Sequence, residues 1–336
     1  MPVTLREVAR RAGVHPGTAS RALNPQTRAL VNEGTARKVM RAADELGYRP
    51  NPLARGLKTN RSFTVGVLIP DLTNPLFPPI VRGIEDALAV EGYTALLANS
   101  DNDPEKERLH FESMKGRQVE GFIMATAQRD HPLVEEAVAA EAATVLVNRT
   151  IDGDNVFAVI ADDRVGVRQA IDHLVGLGHR RIAHLGGPQK FSTGFIRFRS
   201  FLEAMTNRGL EPDHDLIKFC DAFVESEGAR AFKQLLDEGK DFSAVFAAND
   251  LLALGCYDVL ASEPLSCPAD VSIVGFNDIP FLDKLRPPLT TVRIPHYDIG
   301  LRAAELTLER LRDPAARPVT VMLPTELVVR GSTSSA

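Results

Sequence analysis

The sequence predicts an all-α helix-turn-helix head joined to an α/β body of two doubly wound parallel-sheet lobes. Three observations predict it. Charge is split along the chain: residues 1–61 hold twelve Lys and Arg against four Asp and Glu, and with the whole chain at −5, residues 62–336 carry −13. The basic stretch reads as short helices punctuated by glycine and proline. The acidic stretch alternates β-branched apolar runs with amphipathic ones, the pattern of parallel strands covered by helices.

In the head, Thr4 followed by Glu7 forms a capping box that opens a helix over about 5–12, with Leu5, Val8, Ala9 and Ala12 on its inner face. Ala9 supplies the small side chain that a steep helix crossing needs. Gly13 makes the turn, where positive φ is required. Pro16 occupies the first position of a second helix that runs to about Leu23. Ala19, Ala22 and Leu23 face inward, leaving Pro16, Gly17, Thr18, Ser20 and Arg21 outward. A third helix spans about 33–46, capped by Asn32 and ended by Gly47, with Val39, Met40, Ala43 and Leu46 as its inner stripe.

Helix, glycine turn, helix on a basic segment is the arrangement that lays its second helix in a DNA major groove. The alternative is a three-helix bundle with a merely solvated basic surface. Turn spacing, charge and an outward arginine together favour DNA. Arg21 suits the two acceptors on a guanine edge, and Thr18, Ser20, Asn24 and Arg28 suit phosphates. The following segment, residues 48–60, contains two prolines and then about one and a half turns of potential helix. That is too short to be stable alone, so it is expected to order only against DNA or a second copy of the chain.

Composition bounds the rest. A length of 336 residues suits two or three domains, and 44% apolar with 25% charged residues suits a soluble globular protein. No apolar run approaches a membrane span, and the first residues lack the apolar core and cleavage site of a secretory signal, so a cytoplasmic location is expected. Cys220, Cys256 and Cys267 have no metal-ligand spacing and read as thiols in a reducing compartment. There is no GxSxG, no phosphate loop, no HExxH and no dinucleotide fingerprint, so neither catalysis nor a cofactor is expected. His173, His179 and His184 are scattered, and His173 and His179, around a helix end, read as structural.

In the body, one series of strands is expected at 63–69, 93–98, 119–125, 144–147 and 157–160, and a second at 181–185, 244–247 and 271–276. Ile80, Val81, Ile84, Ala87 and Leu88 mark an intervening helix. Ligands of such folds sit beyond the carboxyl ends of the strands. The residues there are Asp71, Asn74 and Phe77, then Asn99, then Asn148 and Arg149. The second series contributes Thr193, Arg197, Phe223, Asn249, Asp250 and Asn277. Amides with a few aromatic rings suit a hydroxyl-rich ligand. For Asn74 a plain turn, and for Asp250 a helix cap, are equally good readings.

The run TLREVARRAGVHPGTASRALN, the helix end ELGYRPN and the segment ARGLKTN resemble, in order and nearly in spacing, the head and hinge of the lactose-repressor (LacI-type) family of bacterial transcription regulators. The resemblance continues through DLTNPLF, STGFIRFRSF, AANDLLALG and SIVGFNDIP. It implies residues 1–47 as DNA-binding domain, 48–61 as hinge, and 62–336 as a periplasmic-binding-protein-like body. The first lobe would take about 62–161 plus 292–320, the second 162–291 plus 321–330. A homodimer would bind a near-palindromic operator, with a small-molecule effector between the lobes. Pro16 and Gly17 fall at the family's specificity positions but cannot hydrogen-bond a base, which leaves direct readout to Arg21. Leu57 matches the hinge leucine that wedges between base pairs. Thr4, Tyr48, Asn51, Ala54 and Lys58 complete the implied DNA contacts. Phe191 falls at an effector-contact position, Arg197 matches the effector-binding arginine, and Leu76 stands where an aromatic is common. A sugar-binding transport receptor shares the body but would carry an export signal instead of a basic head. Without a leucine-rich heptad tail, no coiled-coil tetramer is expected.

Overall fold

The computed structural model describes residues 3–24, 27–49 and 61–336, and divides into two compact units that meet at Ser62–Phe63. In the head, α1 (Leu5–Ala12), α2 (Pro16–Leu23) and α3 (Glu33–Leu46) pack around Val8, Ala9, Ala19, Ala22, Ala36, Val39, Ala42 and Ala43. The capping box forms as expected: the Thr4 amide donates to Glu7 Oε2 at 2.7 Å, and the Glu7 amide donates to Thr4 Oγ1 at 3.4 Å. Gly13 and Gly47 take φ of 67° and 66° at the ends of α1 and α3. Met40 departs from the expected stripe and is exposed. The buried face of α3 is centred between Ala36, Val39 and Ala43, and at 100° per residue Met40 falls outside that arc.

The body holds two six-stranded sheets. The first runs β11-β5-β4-β3-β1-β2, from β1 (Thr64–Ile69), β2 (Thr94–Asn99), β3 (Gly121–Met124), β4 (Ala143–Val147), β5 (Phe157–Ala161) and β11 (Thr320–Leu323). The second runs β12-β10-β9-β8-β6-β7, from β6 (Ile182–Gly186), β7 (Ile217–Phe219), β8 (Ala244–Ala247), β9 (Ser272–Asn277), β10 (Thr290–Arg293) and β12 (Glu326–Val328). Described pairings are parallel except β10 with β12. Central strands are buried on both faces, which is why they read as continuous apolar runs. In each lobe the strand order reverses beside the first strand, and the loops after β1 and β6 open into that crevice.

Helices α4 (Phe77–Val90), α5 (Pro104–Gly116) and α6 (Pro132–Ala139) flank the first sheet. Helices α7 (Asp163–Gly176), α8 (Ser192–Asn207), α9 (Glu225–Asp237) and α10 (Asp250–Leu260) flank the second. Helix α11 (His296–Arg312) follows the second-lobe strand β10 yet returns to pack on α4 and on β3 and β4 of the first lobe. The two helices approach so closely that a Cβ on Gly300 would run into the Ile80 carbonyl oxygen, and one on Gly83 into that of Tyr297.

The chain therefore passes between lobes three times, after β5, after β10 and after β11. The expected return near 320–321 is displaced: Thr320–Leu323 pairs with Ala158–Ala161 and belongs wholly to the first lobe. The second lobe likewise continues past 330. The Ile273 amide donates to Ser332 O at 2.8 Å, and Ser334 O lies 3.0 Å from His179 Nε2. Strands β7, β10, β11 and β12, each of three or four residues, escaped the sequence reading. Among the described residues, no helix is long and apolar enough to cross a membrane.

Candidate functional site

The head's candidate surface is the outer face of α2. His15 caps that helix, its Nδ1 accepting from the Gly17 amide at 3.1 Å, and Pro16 sits at the first position, where a missing N–H leaves nothing unsatisfied. A Cβ on Gly17 would stand 3.2 Å from His15 Nδ1 and crowd the cap. Ala19 and Ala22 turn fully inward, so Pro16, Gly17, Thr18 and Ser20 are half-exposed and Arg21 is exposed.

The other end of α2 is closed by the segment after it. Thr27 Oγ1 donates to Arg21 O at 3.1 Å and Arg28 Nε donates to Ala22 O at 3.0 Å, satisfying carbonyls that a helix C-terminus leaves open. Arg28 thus has a structural engagement that the phosphate expectation did not foresee. The Thr4 hydroxyl sits in the capping box, and the backbone carbonyl of Asn24 accepts from the Thr27 and Arg28 amides. Tyr48 packs against the head core, and burial pushes its phenol up. Asn51, Ala54, Leu57 and Lys58 lie outside the described residues.

In the body, a small cavity opens between the lobes. The first lobe lines it with Asn74 and Leu76 from the loop after β1, and Asn148 and Arg149 from the end of β4. The second lines it with Thr193 and Arg197 from α8, Phe223 after β7, Asn249 after β8 and Asn277 at the end of β9. Asn148 and Asn277 take φ of 65° and 119°, left-handed backbone held at the cavity edge. The lobes touch around it. The Thr150 amide donates to Ser192 Oγ at 2.9 Å, the Arg129 amide donates to Lys190 O at 2.9 Å, and the Arg149 guanidinium stacks 3.7 Å above the Phe191 ring.

Two buried arginines dominate the electrostatics. Arg197 donates to Ala248 O at 2.7 Å, Asp163 Oδ1 at 3.1 Å and Asn277 Oδ1 at 3.3 Å, and lies over the Phe276 ring. Burial pushes the Asp163 carboxyl up, with Arg197 opposing that. Arg149 has no such partner: its Nε and Nη1 are buried without a hydrogen bond. Burial and then the charge of Arg197 bring Arg149 down to about 9.

Seven of the twelve expected effector residues meet at this cavity: Asn74, Arg149, Thr193, Arg197, Phe223, Asn249 and Asn277. Five do not line it. Asp71 accepts from the Thr73 amide and hydroxyl within its own turn. Asn99 accepts from the Leu72 amide. Phe77 is a core residue of the first lobe, and its neighbour Leu76 faces the cavity instead. Phe191 stands behind Arg149. Asp250 is turned inward, accepting from Thr291 Oγ1 at 2.5 Å and the Ile279 amide at 3.0 Å, and burial pushes it up to about 7. The cap on α10 is Asn249, whose Oδ1 accepts from the Leu252 amide at 2.9 Å. A single position decides between cap and internal carboxylate there, and adjacent polar residues give no sequence signal for it.

The histidines hold structure together. His173 lies 3.0 Å from Thr333 Oγ1, His179 bridges Ser243 and Ser272, and His184 stacks on both Phe201 and Phe246. Among the described residues, no cluster of His, Cys, Asp and Glu could hold a metal ion.

Comparison with known proteins agrees with this layout. Residues 4–51 match the family described as bacterial regulatory proteins, lacI family, and residues 171–333 match the periplasmic binding protein-like domain. The chain is 35% identical over 335 residues to the HTH-type transcriptional regulator RegA of Clostridium saccharobutylicum, covering 99% of this chain and 100% of that one. Among solved structures, the transcriptional regulator CelR–cellobiose complex matches with a TM-score of 0.75 at 34% identity, over 98% of this chain and 99% of that chain. The lac repressor dimer bound to operator and the anti-inducer ONPF matches with a TM-score of 0.88 at 27% identity, over 99% and 100%.

Proposed function

The chain belongs to the lacI family of bacterial regulatory proteins, and from that premise we propose that it is a cytoplasmic repressor without catalytic activity. It binds a near-palindromic operator as a homodimer and responds to a sugar-like effector held between the lobes. The observation that carries this reading is one chain bearing both an outward α2 face and a cavity walled by both lobes. A relative of known structure holds cellobiose, and another holds operator DNA as a dimer.

Arg21 reads a base in the major groove, and Thr4, Thr18, Ser20, Asn24, Arg28 and Tyr48 position the head on the backbone. Pro16 and Gly17 pack against the groove without hydrogen bonds. Asn51, Ala54 and Lys58 contact the operator centre, and Leu57 wedges there and bends it. In the cavity, Phe223 covers the apolar face of a sugar ring, while Thr193, Arg197 and the asparagines bind hydroxyls. Effector control requires that the ligand bind the closed body with different free energy from the open one.

The test is a footprint of the purified protein on DNA upstream of its own gene, repeated with candidate sugars. A protected symmetric site, released or strengthened by a sugar, supports the reading. Binding to DNA without sequence preference would overturn it.

A further inference from the structure

The cavity is rich in donors. Of the four asparagines that line it, Asn74, Asn249 and Asn277 each have the carbonyl oxygen engaged by the protein. The partners are the Leu76 amide at 3.0 Å, the Leu252 amide at 2.9 Å and Arg197 Nη2 at 3.3 Å. Each partner is a group that can only donate, so chemistry fixes the orientation of all three side chains. Each asparagine leaves its Nδ2–H groups for a ligand, beside one remaining lone pair on its oxygen. Arg149 Nε and Nη1 and Arg197 Nε are also donors, all three buried without a partner. Buried unpaired donors of a charged group are costly, and they mark a place where an acceptor is expected.

Among the described residues, no carboxylate lines the cavity to balance them. Asp163 is committed to Arg197. Glu107, a buried acid whose charge acts on Arg149, hydrogen-bonds Thr126 Oγ1 and lies 3.2 Å from His131 Nε2, so it reaches Arg149 only through space. Resting on the effector reading above, we infer that the effector is a sugar acid whose carboxylate is bound by Arg149. A carboxylate has acceptors only, and its charge offsets that of a guanidinium. One unpaired guanidinium suits one negative charge. The second charge of a phosphomonoester would face neutral amides. Asn148 and Thr193 remain able to accept from the sugar hydroxyls.

The full-length protein is titrated by calorimetry with D-glucuronate, D-galacturonate and D-gluconate. The same titration is made with D-glucose, D-galactose, cellobiose and D-ribose, and with D-glucose 6-phosphate. At least one carboxylate is expected to bind roughly ten- to a hundred-fold more tightly than its neutral parent, the value of one charge-assisted hydrogen bond. In Arg149→Gln that advantage disappears while circular dichroism and operator binding persist. The wild-type comparison alone suffices should the variant misfold. A neutral sugar binding as tightly as any acid overturns the carboxylate assignment and leaves the sugar-responsive regulator standing. Preference for the phosphate also overturns it. Silence toward all eight compounds overturns both readings.

Discussion

The Arg149 guanidinium of the first lobe lies 3.7 Å above the Phe191 ring of the second. With the Thr150–Ser192 and Arg129–Lys190 hydrogen bonds, this stack fastens one side of the cleft. A desolvated cation over an aromatic face is worth about 0.5–2 kcal/mol. Phe191→Leu keeps an apolar side chain but loses that attraction. Effector affinity by calorimetry is expected to fall roughly two- to thirty-fold, with operator affinity of the free protein unchanged. Unchanged effector affinity would show that the stack contributes nothing to closure.

Arg197 is the obvious residue to remove when testing effector response, but its partner complicates the result. Arg197→Ala strands Asp163 as a buried acid, which costs about 3–5 kcal/mol. The single variant is therefore expected to melt at markedly lower temperature. Adding Asp163→Asn should restore much of the loss, because it removes the uncompensated charge. Equal melting of the single and double variants would refute the coupling.

At the DNA surface, Arg21→Ala is expected to weaken operator binding by about 1–3 kcal/mol and to relax preference at one base of each half-site. Selection of binding sites from random DNA measures both effects. Uniform weakening across all sequences would make Arg21 a phosphate contact.

Acid should destabilise the body through its buried histidines. Burial holds His184 and His296 down to about 4, against about 6.5 in an unfolded chain. Between those values the unfolded state binds the proton and the folded state does not. Their effect is absent above about pH 6.5, grows as pH falls toward 4, and levels off below that. Asp250, raised to about 7, acts in the opposite sense over much of the same range. Urea denaturation of wild type and His184→Gln from pH 7 to pH 4 cancels the shared contribution of Asp250. The variant should lose less stability on acidification, and parallel curves would contradict the assignment.

Long periodic features were legible in the sequence, and short or mutually dependent ones were not. The caps at Thr4, Asn32 and Gly47 followed from local rules, as did the central strands of both lobes. Strand β10 did not, since four residues after two prolines show no period. Polar residues after strands located the cavity correctly, but sequence cannot say which way each side chain points. Asp250 and Asn249 differ only in which reaches the Leu252 amide, and of the two buried neighbours Phe77 and Leu76 only Leu76 borders the cavity. Arg149 was legible as a polar residue after β4. Its lack of a partner emerges only when Asp163 is seen to choose Arg197.

The threefold passage of the chain between lobes has a genetic corollary. The first sheet is not finished until Leu323, and the second not until β12, so any truncation before residue 323 damages both. A recombination junction inside the body would split two sheets at once. At Ser62–Phe63 it would split none. Heads and sensors of this kind can be exchanged as whole cassettes, and half a sensor is not a heritable unit.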